Sequence, residues 1–141
     1  NTKLYTAIKN EGVWCEGQSF ACSQTESIEK SLLLTGFGYD HDELWEMNMS
    51  LFKHFTDKSH GVRRFGAAAV DLCHVASGKV DGYWEFGLKP WDSAAGILIA
   101  QEAGCVVSQM DGSDYSIYDN NILVANPKIH SEMINEIKSV I

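Results

Sequence analysis

The fold is decided by one stretch of the sequence, Asp81-Gly82-Tyr83-Trp84-Glu85-Phe86-Gly87-Leu88-Lys89-Pro90-Trp91-Asp92-Ser93-Ala94-Ala95-Gly96. Its aromatic residues Tyr83, Trp84 and Phe86 are typical of a strand, and Gly87 ends that strand. Pro90 favours the first turn of a helix, because the N–H group that proline lacks would have no partner there. The stretch therefore predicts a strand that runs directly into a helix.

Two carboxylates flank this predicted turn, Glu85 at the end of the strand and Asp92 at the start of the helix. Strand-then-helix units collect ligands at this edge, so the pair predicts an acidic site. From spacing alone two simpler interpretations stay open. Asp92 would merely stabilise the positive end of the helix dipole, a contribution of about 0.3 to 1 kcal/mol. Glu85 would be a surface carboxylate at a strand end.

Strand and helix patterns alternate along the rest of the chain. Residues 1–27 carry two apolar runs separated by glycines, which predicts a meander of a different sheet. From residue 28 to residue 141 the alternation predicts a layered α/β domain. The predicted strands cover residues 31–37, 61–65, 83–86, 105–109 and 122–125. The predicted helices cover residues 42–58, 67–77, 92–103 and 128–140, the first capped by Asp40 or His41.

Composition limits the function classes. The chain has 141 residues, 45% of them hydrophobic, enough for one domain with an ordinary core. Its net charge of −8 argues against binding to nucleic acid or to anionic membranes. The four cysteines contain no Cys-x-x-Cys pair and the five histidines no i, i+4 pair, which favours free thiols in a reducing compartment over a metal site.

Two motifs resemble those of the inositol monophosphatase family. Residues 84–96 are similar to the signature near the C-terminus of these enzymes, and residues 63–73 to a motif in which a glycine and small residues open a helix. Residues 102–104 and 122–126 resemble the closing helix and the strand with its Asn turn. The variant in residues 66–74, followed by residues 88–92, is most similar to the cyanobacterial and plastid branch. The resemblance implies the layered α/β lobe of this sugar phosphatase fold.

The resemblance also implies an activity and residue roles. These enzymes are magnesium-dependent phosphomonoesterases, in which the residue matching Asp92 is a catalytic metal ligand near the attacked phosphate. The residue matching Glu85 accepts a hydrogen bond from a substrate hydroxyl. Gly66, Ala67 and Ala68 match a turn whose backbone faces the polyol ring, although small residues at this point would also suit close packing of a helix on a sheet.

Arg63 and Arg64 have the charge expected of a phosphate clamp. The family, however, binds its phosphate mostly through motifs of the N-terminal half. We therefore expect the two arginines to pair with Asp71, with Asp81 or with a neighbouring subunit.

Those N-terminal motifs, a Glu and an Asp-Pro-Ile/Leu-Asp-Gly-Thr sequence, do not occur in this chain. We interpret the chain as the C-terminal part of such an enzyme, inactive alone, cytoplasmic or plastid, and dimeric when intact. Two alternatives stay open. One is a sugar bisphosphatase or nucleotide-3′-phosphate phosphatase of the same superfamily, which usually carries basic residues near the substrate turn. The other is a non-catalytic assembly lobe completed by another chain.

Overall fold

The computed structural model describes residues 3–141, so residues 1 and 2 of the predicted segment 1–27 lie outside it. A 3₁₀ turn covers Ile28–Lys30. The other elements are, in chain order, β1 (Tyr5–Ile8), β2 (Gly12–Cys15), β3 (Gln18–Ser19), β4 (Leu32–Thr35), α1 (Glu43–Lys58), β5 (Gly61–Arg63), α2 (Ala68–Ala76), β6 (Gly82–Phe86), α3 (Pro90–Glu102), β7 (Val106–Ser108), β8 (Asn121–Ala125) and α4 (Pro127–Ile137). The mixed α/β class predicted from the sequence is confirmed.

The five strands β4 to β8 form one mixed sheet, in the order β5-β4-β6-β8-β7. Strand β4 pairs in parallel with β5 and with β6, whereas β8 runs antiparallel between β6 and β7. The carboxyl ends of β4, β5 and β6 therefore lie at the same edge. The loops that follow these three strands meet there.

Both faces of this sheet are covered, so its strands are apolar on both sides. Tyr83 and Trp84 of β6 are fully buried and belong to two different core clusters. The Tyr83 cluster includes residues of α2 and α3, and the Trp84 cluster includes residues of α1 and α4. Trp84 also donates its indole N–H to Oδ1 of the buried Asn48 on α1, at 2.6 Å. This bond fixes α1 against the centre of the sheet.

Strands β1, β2 and β3 form a separate antiparallel sheet, as the glycine-separated pattern predicts. This meander packs on the end of α3. The carboxylate of Glu102 accepts hydrogen bonds from the backbone N–H groups of Asn10 and Gly12, at 2.8 and 3.0 Å. Cys22 donates its backbone N–H to the carbonyl of Ala103, at 2.9 Å.

The predicted cap of α1 was wrong. Asp42, not Asp40 or His41, is the N-cap, and its Oδ1 accepts a hydrogen bond from the backbone N–H of Trp45 at 3.0 Å. An N-cap side chain accepts from the second or third amide of its helix, and because α1 begins at Glu43 the residue in the cap position is Asp42. Among the helices of residues 3–141, none has the length and apolar character that crossing a membrane requires.

Candidate active site

One cavity of about 230 Å³ lies at the carboxyl edge of β4, β5 and β6, where α2 and α3 begin. It contains residues from three separate loops and from the ends of two helices. Its walls are formed by Gly36, Phe37, Tyr39, Arg64, Gly66, Ala67, Ala68, Glu85, Leu88 and Asp92. All five residues that the sequence predicts for the site, namely Gly66, Ala67, Ala68, Glu85 and Asp92, are thus placed around the same space.

This cavity is not the largest one. A groove of about 680 Å³ lies between β1 and α2, but its walls contain no carboxylate. A second cavity, of about 380 Å³, borders the first across Tyr39 and contains Asp40, Asp42 and Lys89. Asp42 is already engaged there as the cap of α1. The smaller cavity is the candidate site because the predicted residues converge on it.

Helix α2 begins at the cavity wall. Gly66 has a positive φ of 85°, and an added Cβ there would meet no atom, so backbone conformation and not space selects glycine. Ala67, the N-cap, has no side chain that can cap the helix. The first backbone N–H groups of α2 are therefore available to an anionic or hydroxylated ligand.

Asp92 lies in the first turn of α3 and is half-buried. Its Oδ2 accepts a hydrogen bond from the backbone N–H of Lys89 at 2.9 Å. Within residues 3–141, no donor reaches its Oδ1. One carboxylate oxygen is thus fixed by the helix start, and the other is available to a ligand.

Glu85 is held in position by its neighbours. Tyr83, which is fully buried, donates its hydroxyl proton to Oε2 of Glu85, and the backbone of Gly36 lies directly against the same carboxylate. Burial, followed by the nearby carboxylates of Asp71 and Asp92, raises the pKa of Glu85 to about 7, although the Tyr83 hydrogen bond and Arg64 act in the opposite direction. Glu85 is therefore partly protonated near neutral pH.

Sequence reasoning missed Asp71, which lies on α2 behind this site. Asp71 is fully buried, and neither of its carboxylate oxygens has a hydrogen-bond partner in the described part of the chain. Burial raises its pKa to about 6. A carboxylate in the apolar run of residues 67–76 was the available signal, since an unpaired charge is costly in such a helix.

The prediction for the two arginines was wrong where the structure tests it. Arg63 donates from Nη1 to the carbonyl of Val62 at 2.9 Å, and Arg64 lies over the ring of Phe37, with Cζ 5.0 Å from the ring centre. In residues 3–141, neither arginine forms an ion pair with Asp71 or Asp81. Asp81 instead accepts a hydrogen bond from the backbone N–H of Leu32, the first residue of β4, and so helps to fix the register of that strand.

The carboxylates of the cavity can provide part of a metal site, but they do not form a complete one. No group of three His, Cys, Asp or Glu residues suitable for a metal occurs within residues 3–141. Asp92 offers a free oxygen, of the hard type that Mg²⁺ prefers, whereas Glu85 is engaged by Tyr83. The described residues therefore offer one free carboxylate oxygen at the cavity, which is too few ligands for a cation site by themselves.

The fold and the cavity define an α/β domain with carboxylates at the carboxyl edge of parallel strands. The chain belongs to the inositol monophosphatase family, whose sequence model matches residues 1–141. It is 52% identical to "Phosphatase IMPL1, chloroplastic" of Arabidopsis thaliana, over 97% of this chain and 37% of that protein. It is 44% identical to the "Inositol-1-monophosphatase" of Synechocystis sp., over 93% of this chain and 46% of that protein.

Solved structures agree with this assignment. The inositol monophosphatase from Anabaena (Nostoc) sp. PCC 7120 superimposes with a TM-score of 0.94 at 40% identity, over 99% of this chain and 55% of that one. These likenesses agree with the predicted plastid and cyanobacterial branch. The chain spans about half or less of the length of the relatives that it matches.

Proposed function

We propose that this chain forms one side of the active site of a magnesium-dependent phosphomonoesterase that hydrolyses inositol monophosphate or a related small polyol phosphate. The observation that carries the proposal is the convergence of Asp92, Glu85 and the start of α2 on one cavity. Family membership and the names of the relatives support a phosphatase.

Asp92 would hold the metal through its free oxygen, Oδ1. The hydrogen bond from Lys89 to Oδ2 keeps the carboxylate in one orientation, so the oxygen is positioned before any ligand arrives. A magnesium ion held there would supply the Lewis acidity that polarises the phosphate ester and lowers the pKa of water. Since octahedral magnesium needs several oxygen ligands, we expect the 141 residues alone to show no turnover.

Glu85 would select the substrate. A carboxylate fixed between Tyr83 and Gly36 presents its remaining acceptor positions to the cavity. A substrate hydroxyl that donates to it compensates for its burial, and a substrate without that hydroxyl leaves it unpaired. The backbone N–H groups at the start of α2 would donate hydrogen bonds to hydroxyl oxygens on the other side of the ring.

Hydrolysis of inositol 1-phosphate by the intact protein, across a magnesium titration, tests the proposal. We expect metal-dependent release of phosphate, lost in Asp92→Asn. Asp57→Asn, which removes an exposed carboxylate of α1 outside the cavity, is the matched control and should keep full activity. Magnesium-dependent turnover by the purified 141-residue chain, abolished by Asp92→Asn, would contradict the expected inactivity.

We expect a homodimer, located in the cytoplasm or, in a plant, in the plastid, the compartment that the name of the Arabidopsis thaliana relative gives for that protein. The alternative, a non-catalytic lobe completed by another chain, predicts co-purification with a second polypeptide.

A further inference from the structure

The four cysteines are divided equally between the meander side and the helix side of the fold. Cys15 belongs to β2 and Cys73 to α2, whereas Cys22 follows β3 and Cys105 follows α3. Cys22 and Cys105 are buried, each with 8% of its surface exposed, and both belong to the core cluster that includes residues of α2 and α3. A thiol from the end of the meander and a thiol from the end of α3 thus share one apolar space.

The backbone holds Cys22 beside Cys105. The N–H of Cys22 donates to the carbonyl of Ala103 at 2.9 Å, and the N–H of Cys105 donates to the carbonyl of Ala100 at 3.0 Å, so both residues are fixed to the end of α3. Gly104 has a positive φ of 89°, and a Cβ added there would lie 3.8 Å from Sγ of Cys22. The sulfur of Cys22 therefore lies over the turn that leads into Cys105.

The two thiols also influence each other. Burial raises the pKa of both, and that of Cys105 more strongly. In addition, Cys105 lowers the pKa of Cys22, whereas Cys22 raises the pKa of Cys105. The first proton is therefore lost from Cys22, and the thiol of Cys105 stabilises the resulting thiolate. Such an unequal pair is suited to act as a nucleophilic thiol with a resolving thiol.

We infer that Cys22 and Cys105 are a redox modification site, at which a hydroperoxide forms a reversible disulfide between the end of the meander and the end of α3. Both thiols are free in this structure, which is the reduced state of the pair. Their burial admits only a small oxidant such as hydrogen peroxide. The inference is independent of the proposed function, because neither cysteine lines the candidate active site.

The oxidation takes two steps. The thiolate of Cys22 attacks one oxygen of hydrogen peroxide, the O–O bond breaks, and the released hydroxide takes up the thiol proton as water, which leaves Cys22 as a sulfenic acid. The sulfur of Cys105 then attacks the sulfenic sulfur. The S–S bond forms as the S–O bond breaks, and the hydroxyl group leaves with the Cys105 proton as a second water. Two thiols lose two electrons in total, and one peroxide is reduced to two waters.

The disulfide would stabilise the junction between the meander and α3. It would join residues about 80 positions apart, and closing so long a loop restricts the unfolded chain. The carboxylate of Glu102 already binds the backbone of Asn10 and Gly12 at this junction. The covalent link would therefore strengthen an existing contact, and we expect a higher unfolding temperature.

Treatment of the intact protein with hydrogen peroxide, followed by digestion without reductant and mass spectrometry, tests the inference. We expect a peptide with Cys22 linked to a peptide with Cys105, and a rise of about 5 °C or more in the unfolding temperature that dithiothreitol reverses. The rate of linkage should rise about tenfold per pH unit near neutral pH, because the thiolate fraction does. Cys22→Ala or Cys105→Ala should abolish the link and the temperature shift. Cys15→Ser, the matched control, removes a more exposed thiol and should change neither.

Several outcomes would overturn the inference. It is wrong if peroxide leaves both thiols free at a concentration that oxidises the unfolded protein, or if it takes Cys22 only to the sulfinic acid. It is also wrong if Cys15 or Cys73 replaces either member of the linked pair, or if the link forms without raising the unfolding temperature. The wild-type peptide map decides the question even where a variant fails to fold. None of these measurements uses phosphatase activity, so the proposed function is tested separately.

Discussion

The backbone of Gly36 lies so close to the carboxylate of Glu85 that a Cβ atom at position 36 would overlap both carboxylate oxygens. Gly36 follows β4, and Glu85 lies on β6, its parallel neighbour. The carbonyl of Gly36 accepts a hydrogen bond from Nδ2 of the buried Asn48, at 2.5 Å. The backbone at Gly36 is therefore held in place. The carboxylate of Glu85 occupies the space that a side chain at position 36 would need.

Gly36→Ala should displace Glu85 without unfolding the domain. Because the overlapping atoms belong to the end of a flexible side chain, the carboxylate moves and the anchored backbone stays. We expect kcat/KM for inositol 1-phosphate to fall about as far as in Glu85→Gln. The fall corresponds to a loss of about 1 to 3 kcal/mol in transition-state binding.

Gly38→Ala is the control for this substitution, since an added Cβ there meets no atom and the residue does not need a positive φ. It lies in the same loop and should leave kcat/KM unchanged. Wild-type selectivity in Gly36→Ala, with Glu85→Gln impaired, would contradict the positioning role of Gly36.

Asp92 and Glu85 should have separable effects on catalysis. A carboxylate on the metal supports charge that develops at phosphorus, so Asp92→Asn should lower kcat and weaken magnesium binding. Glu85→Gln should instead change the preference between inositol 1-phosphate and glycerol 2-phosphate and leave the magnesium midpoint nearly unchanged. Kinetics on both esters across a magnesium titration measure this. Equal shifts of the midpoint in the two variants would show that the division of roles is wrong.

Without the family resemblance, which added Gly66, Ala67 and Ala68, the sequence predicted the site only where its residues are local. Glu85 and Asp92 lie within one strand-turn-helix stretch, so the residues themselves indicate their proximity. Gly36 and Arg64 follow β4 and β5, and only the pairing of these strands brings them to β6. Pairing order is not encoded in local periodicity.

The fold shows the same division between local and long-range information. The periodic elements were predicted with errors of a few residues at their ends, because apolar spacing records which faces are buried. The position of β8 between β6 and β7 was not predicted, since it depends on which strand edges remain free after folding.

The contact between helices α2 and α3 leaves no space for a side chain at Gly96. An added Cβ there would lie 2.7 Å from Cβ of the fully buried Leu72, an atom that cannot rotate away. Alanine normally favours a helix over glycine by about 1 kcal/mol, but overpacking costs about 1 to 3 kcal/mol. We therefore expect Gly96→Ala to lower the free energy of unfolding, measured by urea denaturation. A Leu72→Ala background keeps that Cβ, so the same change should still destabilise the protein there, and a neutral or stabilising effect in that background would contradict the packing argument.

Asp71 should make the stability of the domain depend on pH. Burial raises its pKa from 3.8 to about 6, so the folded chain keeps this proton at a pH where the unfolded chain has released it. The contribution of Asp71 to the free energy of unfolding is therefore fully present below pH 3.8, and it is lost as the pH rises through about 6. The shift corresponds to about 3 kcal/mol at most.

Asp71→Asn removes this titration and should flatten the fall in unfolding free energy between about pH 4 and pH 6, since one fewer proton is released on unfolding. Glu85, whose pKa is also raised by burial and by Asp71, contributes a fall of the same sign that persists in the variant. Urea denaturation at a series of pH values measures both slopes. Asp57→Asn on the exposed side of α1 should keep the wild-type slope. An unchanged slope in Asp71→Asn would contradict this prediction and show that Asp71 does not hold its proton in the folded chain.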